Sequence, residues 1–139
     1  MINDKIKTAW IRQLNEDWKT ANFLYFKDSM RHPIFELSYS GVALGRWKGG
    51  CHRRLSISIH LIKTYAWEYV QEVLCHEMVH QYVEEVLGIC EELPHGAAFR
   101  RVCREKGIDP TATGDIQVWM GKRKNRFTVS SENHQILDK

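Results

Sequence analysis

The stretch from about Tyr65 to Leu87 constrains this chain more than any other. Val70, Val73, Leu74, Met78, Val79, Tyr82, Val83 and Val86 recur at helical spacing but cover far more than one face. A helix that is apolar on several sides belongs in the middle of a fold. Yet this helix also carries His76-Glu77-Met78-Val79-His80. Buried polar rings need partners, and two imidazoles with a carboxylate one residue on are awkward as plain core. A metal ion resolves the conflict. Residues i and i+4 share one helix face, about 5–6 Å apart at Cβ, so both rings can reach one Zn²⁺ at about 2.0–2.1 Å. Glu77 points about 100° away, where it can move a proton beside the metal without ligating it.

A catalytic zinc site generally takes three protein ligands and leaves one position open. A third histidine six residues after His80 would fall at Val86, so the extended metzincin pattern is absent. Glu84 and Glu85 sit on the same helix and are too local. Glu91, Glu92 and His95 remain. Gly88 is placed to cap the helix, and a reversal there would bring His95, at the start of the next helix, back alongside the metal.

The rest of the chain reads as a frame for that helix. Ile6, Trp10, Leu14 and Trp18 mark a first helix from about residue 4 to 22, extending toward Lys27, with Asn3 or Asp4 as its cap. Arg31-His32-Pro33 is expected to break it. Phe35, Leu37 and Tyr39 alternate with polar residues as a half-buried strand, and Val42 to Trp47 forms a second short one. Lys48-Gly49-Gly50 is a turn. Leu55, Ile57, Ile59 and Leu61 then alternate as a third strand. Pro94 suits the first turn of the last helix, with Phe99, Val102 and Cys103 inward and Gly107 closing it. Ile116–Trp119 and Phe127–Val129 are weak strand signals, and the last ten residues are expected to fray. With no repeat and no linker, 139 residues read as one domain, 1–139. The expected class is α+β, zincin-like, with a small antiparallel sheet packed on the central helix.

Apolar content of 43% and charged content of 27% fit a soluble globular protein. No run approaches the 18 or so apolar residues of a membrane span, and the charged N-terminus lacks a signal-peptide core. A cytoplasmic location is therefore expected. Cys51, Cys75, Cys90 and Cys103 form no CxxC pair, so they read as free thiols. Charge is unevenly spread. Arg46, Lys48, Arg53, Arg54 and Lys63 give +5 in a stretch without acids, Glu68 to Glu92 gives −7, and Lys122, Arg123, Lys124 and Arg126 give +4. His32, His52, His60 and His134 read as surface or turn residues, and the five tryptophans as packing anchors.

HExxH, fourteen intervening residues and then His95-Gly96-Ala97-Ala98-Phe99 resemble the SprT-like metallopeptidase family, which includes the eukaryotic Spartan proteases. Upstream, Leu44-Gly45-Arg46-Trp47 and Leu55-Ser56-Ile57-Ser58-Ile59 extend the resemblance to residues 41–107. It implies one Zn²⁺ on His76, His80 and His95, Glu77 as catalytic base, and a protein or peptide substrate. Tyr39, His52, Arg46 and Arg53 are the candidate donors to a developing oxyanion. Many members carry a zinc ribbon, which this chain has no CxxC to build. The resemblance also raises non-specific DNA contact through Arg46, Lys48, Arg53, Arg54, Lys122, Arg123, Lys124 and Arg126. The rival readings are a DNA-associated binding module that cuts little and a zinc hydrolase of a non-peptide substrate.

Overall fold

A computed structural model describes residues 3–90 and 95–111. Within these, four helices surround a three-stranded sheet. Helix α1 (Asp4–Phe26) starts where the Asn3 side chain accepts a hydrogen bond from the Ile6 amide at 2.9 Å. Its inward face is Leu14, Trp18, Ala21 and Phe26, whereas Ile6 remains 41% exposed. The helix ends before the expected break. Lys27 and Asp28 turn left-handed, and the Asn22 side chain bridges the amide and carbonyl of Met30.

The sheet comprises β1 (Ile34–Ser38), β2 (Gly45–Lys48) and β3 (Arg54–Ser58) in the order β1-β3-β2. β2 and β3 form the expected antiparallel hairpin, but β1 lies parallel to β3, so the sheet is mixed and not antiparallel. The reason is the path of residues 39–44. They cross the end of β3 and set β2 on its far side. There the Ser58 amide donates to the Leu44 carbonyl at 2.9 Å and the Ser58 hydroxyl to the Ser40 carbonyl at 2.6 Å. Val42 is consequently outside β2 and 92% exposed.

Ser58 also corrects the third strand. Its hydroxyl caps a short helix, α2 (Ile59–Thr64), by accepting from the Leu61 amide, so the alternation through Ile59 and Leu61 does not continue as strand. Both side chains are buried all the same. The apolar period thus marks the inward residues correctly and the backbone wrongly.

The central helix α3 (Trp67–Glu85) buries an unbroken run from Glu72 to Val79, as its all-round apolarity requires. Past its end, the Leu87 and Ile89 amides bond back to Tyr82 and Val83 while Gly88 takes φ +66°. Helix α4 (Ala97–Lys106) packs Ala98, Phe99, Val102 and Cys103 inward and ends on Gly107 at φ +68°. Pro94, the two weak strand signals beyond residue 111 and the second basic block lie outside the described residues. Cys75 and Cys103 are free thiols within the core, whereas Cys51 and Cys90 are free and exposed. No helix among the described residues is long and apolar enough to cross a membrane.

Candidate metal centre

The site is assembled from one helix and the turn before another. His76 and His80 stand one turn apart on α3, with ring centroids 5.3 Å apart. The reversal after Gly88 returns the chain so that His95, just before α4, faces both rings. Its Nε2 lies 3.2 Å from His76 Nε2, and its ring centroid lies 5.1 Å from that of His80. One ring nitrogen from each of the three histidines lies within 4.8 Å of the others, so the cluster can hold a metal ion. Tetrahedral ligands at 2.0–2.1 Å would stand roughly 3.3 Å apart, which the His76–His95 pair nearly matches. The donor set therefore fits a zinc ion.

Phe99 is the floor of this cluster. Its ring lies 4.9, 4.2 and 4.7 Å from His76, His80 and His95. It is fully buried, and it occupies the position one turn after His95 along the chain. Burial, helped by the neighbouring His80, pushes the His76 pKa down to about 3, and burial lowers that of His95. Both rings are thus held in the neutral form that binds metal. The outward nitrogen of His76, Nδ1, lies 3.4 Å from the main-chain carbonyl oxygen of Asp109.

Glu77 lies on the adjacent face of α3, under β2, the edge strand among the described residues. In the β2–β3 register Trp47 stands opposite Leu55, and alternate amides of an antiparallel strand face away from its partner. The Trp47 amide donates to Glu77 Oε1 at 3.0 Å. Gly45 permits the approach, because a Cβ there would stand 2.5 Å from Val73 Cγ1 and 3.1 Å from Glu77 Cγ. The carboxylate is only 4% exposed, and burial raises its pKa to about 7 despite the opposing hydrogen bond. The amide contact was not legible in the sequence. The glycine before Arg46-Trp47 was the one visible trace of a close backbone approach.

Two of the candidate oxyanion donors, Tyr39 and Arg53, have partners elsewhere. Tyr39 is 75% exposed and accepts a hydrogen bond from Lys7 on α1 at 2.7 Å. Arg53 is tied to Glu85 by two guanidinium contacts, one of 2.7 Å, and also donates to the Arg31 and His32 carbonyls. Arg46 is exposed on β2, and His52 is exposed in the turn before β3. His32 is exposed, as expected, and its ring lies tilted beside Trp18 with centroids 4.6 Å apart.

No curated protein matches this chain as a relative. The model of the SprT-like family matches residues 14–113, a span that takes in α1 from Leu14 onward, the sheet, α3, all three histidines and α4. With most of its length matched, and with that histidine cluster within the match, the chain belongs to the SprT-like family.

Proposed function

We propose that this protein is a zinc-dependent peptidase in which His76, His80 and His95 hold the metal and Glu77 is the general base. The observation that carries this reading is the pairing of a three-imidazole cluster with a buried carboxylate on the next helix position. A bound zinc would supply Lewis acidity, polarising a substrate carbonyl and making water a better nucleophile near neutral pH. Glu77, with a pKa near 7, is matched to accept a proton from attacking water and return it to the departing amine. Its bond to the Trp47 amide holds the carboxylate in place without the charge of a cation beside it. The outer edge of β2 runs next to Glu77, and an extended peptide added to that edge would lie across the site.

Retention of Glu77 favours catalysis over a purely metal-holding module, since a structural zinc has no use for a base. The deciding experiment is Glu77→Gln. Zinc content and melting temperature are expected to stay near wild type while hydrolysis of casein or of the protein itself disappears. An active Glu77→Gln protein would end this mechanism. Hydrolysis of small esters but of no peptide would favour the non-peptide hydrolase instead.

A DNA-directed role has one supporting observation. Arg46 and Lys48 are both exposed on β2, and in register Lys48 lies beside Arg54. Their alternation places them on one face of the sheet. Arg53 cannot join them, because its guanidinium is committed to Glu85. Arg54 is shared with Glu36 at 3.5 Å.

A further inference from the structure

We propose that Asp109 is the positioning residue of the metal centre, its main-chain carbonyl holding the His76 ring so that Nε2 faces the metal. This inference rests on the zinc reading above and goes beyond it, because no motif points to Asp109. The contact is built by the end of α4. Gly107 turns the chain left-handed, the Ile108 amide bonds to the Cys103 carbonyl at 2.9 Å, and Ile108 is buried. The next carbonyl, that of Asp109, then lies 3.4 Å from His76 Nδ1. A carbonyl can only accept, so this contact places the proton on Nδ1 and leaves the Nε2 lone pair toward His95. One helix therefore supplies the site at both ends, with His95 before its first turn and Asp109 after its last.

The Asp109 side chain holds its own carbonyl in position. Oδ1 accepts from the Thr111 amide at 2.8 Å and from the Thr111 hydroxyl at 2.6 Å, closing a tight turn across Pro110. Oδ2 is buried and has no hydrogen-bond partner among the described residues. A carboxylate left in that state is costly. Partners that orient ligand histidines typically control metal affinity by about 10- to 100-fold.

The test uses the full-length chain with Asp109→Ala, Asp109→Asn and Thr111→Val. Zinc affinity is read by competition with a chromophoric chelator, and the His76 tautomer by nitrogen NMR of the metal-free protein. Asp109→Ala is expected to weaken zinc binding about 10- to 100-fold and to lose the single Nδ1–H form of His76. Asp109→Asn keeps an acceptor for Thr111 and should recover most of both. Thr111→Val leaves the core untouched and should show a smaller loss of the same kind, which covers a poorly folded alanine variant. Affinity within twofold of wild type together with an unchanged tautomer in Asp109→Ala would overturn the proposal, as would an asparagine variant no better than alanine. If the wild-type protein binds no zinc, the peptidase reading fails, and the tautomer measurement still decides the role of Asp109.

Discussion

At the scale of single residues the site depends on space as much as on ligands. Gly45 is the sharpest case, because helix α3 passes so close that a methyl group there would overlap Val73 and press on Glu77. Val73 is fully buried and branched, so it cannot swing aside. Gly45→Ala is therefore expected to cost about 1–3 kcal/mol in a denaturant titration and, on the proposed mechanism, to lower hydrolysis further by displacing Glu77. An unchanged midpoint would mean that β2 can lift off α3 freely. His95 makes the complementary case, since removing it leaves His76 and His80 with no third imidazole among the described residues. His95→Ala should deplete zinc about as severely as His76→Ala or His80→Ala. Full retention would move the third ligand to Glu91 or Glu92. The three histidines and Glu77 were legible in the sequence because their relations are local or nearly so. The Trp47 amide was not, since no side-chain pattern announces a backbone donor 30 residues away.

Among the elements, the question is what holds the hairpin turn and α1 against α3. Arg53, itself at φ +48°, joins the turn to Glu85 at the end of α3 and to the loop after α1. Gln81 extends the join by donating to the Arg31 carbonyl and accepting from the Trp18 indole at 3.2 Å. The guanidinium holds the Glu85 carboxyl below its ordinary pKa. A depressed carboxylate contributes stability that is present above its unfolded value and is lost as pH falls through its folded one. Glu85→Gln should therefore destabilise the protein at pH 7 by about 1–3 kcal/mol. The gap to wild type should close on acidification below the ordinary glutamate range, as followed by melting temperature against pH. A gap that persists at low pH would show that packing, and not the ion pair, is responsible. Helix extents were readable in advance because capping and period are local properties. The conversion of Ile59–Thr64 from strand to helix was not, because alternation over four residues also satisfies one helical turn.

For the whole molecule, metal and fold should be coupled, because the centre draws α3, the turn before α4 and the chain after α4 into one place. Zinc at about 100-fold above its dissociation constant stabilises by about 2.7 kcal/mol. Chelation is thus expected to lower the melting temperature by roughly 5–10 °C, reversibly on zinc return. No shift would mean that the cluster is preformed and binds nothing. The basic sheet face gives a second expectation. Binding of single-stranded DNA should be weak, independent of sequence and steeply lost with salt. Arg46→Glu with Lys48→Glu should abolish it without disturbing zinc. Binding that survives both reversals would remove this face from the DNA-directed reading.

The amino-acid sequence by itself pointed to the three histidines that cluster, to the carboxylate beside His76 and to the central, buried position of the helix that carries His76, Glu77 and His80. Those properties follow from i, i+4 spacing and from where apolar residues recur. Only the tertiary structure decided that β1 runs parallel to β3, that Arg53 serves Glu85 and is lost to other partners, and that Glu77 rests on the Trp47 amide. Periodicity specifies which side of a strand or helix is inward. Which neighbour that side meets depends on the path of the intervening chain, and here the path turns on Ser58 holding residues 40 and 44 across the end of β3.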